Sequence, residues 1–67
     1  MTNETRKKLL FELKLAFNGA DHFTAILLRL LLKADYDNQE KLALGFPDEV
    51  EIVRDWRLGK IDQDEVA

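Results

Sequence analysis

The chain has 67 residues, a net charge of −3, 46% hydrophobic and 34% charged residues, one His, one Pro and three Gly. It is long enough for one small domain. With neither Ser nor Cys in the sequence, a disulfide framework, a cysteine zinc site and the Ser and Cys nucleophiles of acyl transfer are excluded.

Thr2 or Asn3 can cap a first helix, because a short polar side chain accepts a hydrogen bond from a free first-turn amide. Glu4 suits the positive start of that helix. The pattern predicts helix over Glu4 to Phe17, stopped at Asn18-Gly19, where glycine tolerates the left-handed conformation. Asp21 signals a second helix over His22 to Ala34. The polar run Asp35-Tyr36-Asp37-Asn38 ends it. Asp37 with Glu40 has the spacing of a capping box and predicts a short third helix through Leu44. Gly45 closes that helix, and Pro47 suits the first position of a fourth, where its missing amide costs nothing. Asp48 and Glu49 favour that start, and the helix is expected to reach Leu58, with Gly59 as its stop. Residues 60–67 read as a loose, flexible acidic tail, with Asp62 and Glu65 too near the end to settle another turn. No alternating strand pattern occurs, and the connections are short. The expected fold is therefore all-α, a single domain over residues 1–67 built as a small bundle of three main helices and one short one.

Helical periodicity sets the faces. In the first helix Leu9, Leu10, Leu13, Ala16 and Phe17 form one stripe, while Phe11 and Leu15 form a second on nearly the opposite side. The second helix is apolar almost all round, with His22, Arg29 and Lys33 as its narrow polar strip, which is the pattern of a helix surrounded by other elements. In the fourth, Val50, Ile52, Val53 and Trp56 share a side. Burying a Leu or Phe is worth about 1.5–3 kcal/mol, and a domain this small is marginal. One copy has too little chain to cover both stripes of the first helix and the whole of the second. The sequence thus predicts a homodimer whose interface uses Phe11, Leu15, Leu28 and Leu32. A monomer with its short helices folded over both stripes is the competing expectation.

Charge is unevenly spread. Residues 1–34 carry +3 and residues 35–67 carry −6, a split that can bring two copies together. Arg6, Lys7, Lys8 and Lys14 make a basic patch that in a DNA reader would hold phosphates. The second helix is too apolar, and the fourth too acidic, to enter a groove. Nucleic acid is accordingly an unfavoured partner, and a regulator using those four cations is the alternative reading. His22 beside Asp21 has the composition of a proton-transfer pair, but no nucleophile accompanies it. Asp35, Asp37 and Asn38 resemble the opening of a calcium loop until Glu40 stands where the sharp turn requires Gly. No catalytic, cofactor-binding or metal-ligating set is expected. Trp56 and Tyr36 are candidate anchors for a partner, though such a Trp on an apolar helix face more commonly belongs to a core. The run Phe23 to Leu32 is broken by Thr24 and Arg29 and falls short of the ~20 residues a bilayer needs. With no signal-peptide pattern at the start, the chain reads as soluble and cytoplasmic, with no membrane partner.

The stretch HFTAILLRLLLKADYDNQEKLALGFPDEV (His22 to Val50) resembles small proteins encoded by phages and prophages. The shared parts are a Leu-rich helix ending in Lys33-Ala34-Asp35, then Asn38, Lys41-Leu42, and Phe46-Pro47 followed by Glu49-Val50. These are caps, stops and core positions, so the resemblance implies a small helical protein and carries no catalytic residue. It implies a non-enzymatic accessory factor in a host cell that binds a host or phage protein, or a structural subunit of a phage assembly.

Overall fold

In a computed structural model, which describes residues 1–66, the chain forms four α-helices and no strand among the described residues. They are α1 (Asn3–Phe17), α2 (Phe23–Lys33), α3 (Tyr36–Ala43) and α4 (Pro47–Arg57), followed by a single 3-10 turn over Gln63–Glu65. Thr2 caps α1, its hydroxyl accepting from the Thr5 amide at 3.1 Å. At the other end the Asn18 side chain donates to the Lys14 carbonyl at 2.9 Å, and Gly19 turns the chain with φ +86°. That positive φ is the conformation an L side chain resists.

Two helix starts differ from the sequence pattern. His22, not Asp21, is the N-cap of α2, and its side chain makes no cap bond. Asp35, not Asp37, caps α3, its carboxylate accepting from the Asn38 amide at 2.8 Å. Asp37 falls in the first turn, and Glu40 reaches across to Arg54 at 2.5 Å instead of back to a cap amide. The cap depends on extended backbone at Asp35 (ψ 175°), which frees the side chain to meet the amide three residues on. Asp35→Ala is expected to cost about 1 kcal/mol, and Asp37→Ala less than about 0.5 kcal/mol. Thermal melting of the two variants measures the difference, and equal losses would restore Asp37 as the cap.

The core is shared by α1 (Leu9, Leu10, Leu13, Ala16), α2 (Ala25, Leu27, Leu28, Leu31) and α4 (Val50, Ile52, Val53). Helix α2 packs against both α1 and α4, and α3 packs on α4. The small α3 adds the partly buried Leu42 and Ala43 to this core and buries Gln39. Gln39 is held at both ends of its amide, donating to the Ala34 carbonyl and accepting from Arg54, each at 3.2 Å.

The segment expected to be a loose tail is docked. Gly59 reverses the chain at φ +74°, and the Lys60 amide returns to the Asp55 carbonyl at 2.9 Å. That reversal points Ile61 back at the core, where it is 4% exposed, and Val66 follows at 5%. Between them Asp62 and Glu65 complete a reciprocal capping box. Two bonds in one short turn, with an apolar residue on each side, fix a segment that its acidic composition alone would leave in water. Ala67 lies outside the described residues.

Candidate interaction surface

Helix α2 is covered on one side only. Leu27, Leu28 and Leu31 are buried, whereas Phe23, Ile26 and Leu30 are 67%, 48% and 53% exposed. Spacings of three and four residues put these three on one line of the helix. At its N-terminal end Phe23 tilts against Phe46, ring centroids 5.9 Å apart. Phe46 is followed directly by Pro47, Asp48 and Glu49 in the first turn of α4, and the exposed Asp21 precedes Phe23 by two residues, so three acids flank this aromatic pair in the sequence.

The other end of the line carries two lysines and one aspartate, Asp35, whose carboxylate caps α3. Leu30, Ala34 and Leu42 supply the apolar lining of a groove of about 560 Å³ between α2 and α3, with Lys33 and Lys41 among its polar lining. A smaller hollow is lined by Ile26, Arg29, Leu30 and Lys33. Leu30 and Lys33 therefore form a ridge common to both depressions. A separate shallow hollow lies across the molecule, where Phe17 tilts against Trp56 at 5.1 Å above Gln63 and Val66.

The cations divide by type. All four arginines are engaged within the fold. Arg29 donates to the Ala16 carbonyl at 2.9 Å. Arg57 gathers the carbonyls of Leu31, Leu32 and Ala34 at the end of α2. Each thereby satisfies helix carbonyls that have no partner within their own helix, at the negative end of the helix dipole. Arg54 bonds Gln39 and Glu40 and stacks over Tyr36 at 5.3 Å, and Arg6 pairs with Asp55 at 3.6 Å. No lysine forms an ion pair among the described residues. The planar guanidinium fork suits several oxygens at once, while an ammonium on a flexible stem stays hydrated.

The residues expected at an interface are not brought together. Phe11 is 57% exposed, but Leu28 is fully buried, which corrects its assignment to a partner surface. Leu32 is half-buried against the core and Leu15 half-buried on α1. The reason is helical phase. Leu30 lies about 200° round the helix from Leu28, so the core-facing and solvent-facing leucines of α2 are different sets. The expected basic patch is also divided, since Arg6 is tied to α4 through Asp55, leaving Lys7 and Lys8 exposed and Lys14 half-buried. His22 does not pair with Asp21. Its Nε2 meets the Glu12 carboxylate on α1, a tie that fixes the start of α2 against its neighbour.

Among the described residues no group of three or more acidic or imidazole side chains is placed to hold a metal ion. No helix among them is long and apolar enough to cross a membrane. Comparison with protein families, with curated proteins and with solved structures gives no match to the chain.

Proposed function

We propose that this protein is a non-enzymatic interaction module, a homodimer in its working form, that meets its partner through the outward line of α2. One observation carries the reading: three large apolar residues stand 48–67% exposed in a single row, and contiguous apolar surface on a small domain marks contact with another molecule. The depressions beside the row are lined by aliphatic residues with Lys33, Lys41, Arg29, Asp35 and Asn38, a setting that suits docking. The accessory role in a phage or its host rests on the sequence resemblance alone.

Leu30→Asp tests this reading. An exposed position tolerates a charge, so at a dilution where the chain does not associate the stability is expected to change by no more than about 0.5 kcal/mol, a Tm shift of roughly 2–4 °C for a domain of this size. At the same dilution, binding of an apolar dye to the native protein is expected to fall. A loss of several kcal/mol would make Leu30 a core residue and remove the surface.

A further inference from the structure

The outward face of α2 is polarised along its length, and that polarity selects an occupant. At one end stand Asp21, immediately before the helix, and Asp48 and Glu49, which follow the Phe46 ring packed on Phe23. At the other stand Lys33 and Lys41 around Leu30, with Asp35 the one acid in that lining and its carboxylate turned to the Asn38 amide, which leaves this end net positive. The remaining cation beside the row, Arg29, is turned to the Ala16 carbonyl, and His22 to Glu12. A surface with an acidic end, an apolar middle and a basic end matches itself when reversed.

We propose, resting on the reading of this face as the working surface, that its occupant is a second copy of the chain, with the two α2 helices antiparallel about a two-fold axis. Such an interface is isologous, so each contact occurs twice. The axis that sets Asp21 opposite Lys33 of the second copy passes beside Leu27. The axis that sets Phe23 opposite Leu30 of the second copy passes between Ile26 and Leu27. Asp21 precedes the extended N-cap His22, and the two axes fall within about one residue's rise, roughly 1.5 Å, of each other, close enough for one axis to serve both the charged and the apolar pairing. Ile26 then sits next to its own symmetry mate at the centre. The antiparallel arrangement also sets each helix dipole against the other, whereas a parallel one would stack acid on acid and lysine on lysine.

Sedimentation equilibrium of the full chain at low ionic strength is the test. The wild type is expected at twice 7.8 kDa, and Leu30→Asp at the monomer mass. Asp21→Lys and Lys33→Glu are each expected to weaken association about tenfold, because the two-fold counts each change twice. The double variant Asp21→Lys/Lys33→Glu is expected to return to within about twofold of the wild type, and added salt to flatten the whole pattern. Circular dichroism on each variant separates weak association from unfolding. A wild type that stays monomeric up to millimolar concentration overturns the second copy as occupant and leaves the exposed row to a different protein. A dimer that Phe11→Asp dissociates and Leu30→Asp does not overturns the α2 surface itself. A dimer in which the double variant is weaker than either single overturns the antiparallel pairing.

Discussion

Leu28→Ala is expected to destabilise the protein by about 3–4 kcal/mol, the cost of removing a fully buried leucine and leaving a cavity. Leu28 is 0% exposed at the centre of the α1–α2–α4 core. Domains of this size have a total stability near 5 kcal/mol, so the variant is expected to be partly unfolded at room temperature. Leu30→Ala, two residues away on the same helix and 53% exposed, is expected to stay within about 0.5 kcal/mol of the wild type. Urea titration at one protein concentration, low enough to keep the chain unassociated, measures both. Similar midpoints for the two variants would mean that the rotational setting of α2 is wrong, and with it the separation of core from contact surface.

Ending the chain after Lys60 is expected to lower stability by about 2–3 kcal/mol. Ile61 and Val66 each bury a side chain worth about 1.5–3 kcal/mol, and the freed residues regain conformational entropy that offsets part of the loss. A Tm drop of roughly 10 °C or more follows for so small a domain. Ile61→Asp in the full chain is expected to reproduce most of it, because it removes the first anchor while keeping the length and the capping box. An unchanged Tm in both would make the C-terminal turn an ornament on a core complete without it.

Local punctuation was the legible part of the sequence. Gly19, Pro47 and Gly59 have backbone requirements that no tertiary contact overrides, and all three mark helix boundaries in the structure. All-α architecture followed from them and from the 3.6-residue period. Less legible was the choice between Asp35 and Asp37 as a cap, since both are short acids before an apolar helix and only the backbone angle at Asp35 decides. The docked C-terminal turn was hidden because two apolar residues among acids carry little pattern. Their burial depends on a reversal at Gly59 and on a core built by residues far away in the chain.

The division of α2 into buried and exposed leucines was hidden for a related reason. Composition shows that α2 has more apolar surface than one side can hide, but not which leucines lose. A finer signal was present: Arg29 and Lys33 mark the side of α2 that meets water, and the residues beside them on the helical wheel are Ile26 and Leu30. Reading the polar strip as the centre of the uncovered side, instead of as a gap in a buried cylinder, leads to the row seen in the structure. Phe23 completes it one turn earlier.

Arg57 gives the chain a particular order of completion. From near the far end of the polypeptide, Arg57 adds its donors at the end of α2 to those that the Ala34 amide and Gln39 already give the Leu31 and Ala34 carbonyls, as Arg29 adds to the Gly19 amide at the Ala16 carbonyl. Each of these ties comes from a residue later in the chain. An N-terminal fragment stopping before α4 lacks the Arg57 tie and the Val50, Ile52 and Val53 share of the core, so its α1–α2 pair is expected to be far less stable than in the whole molecule.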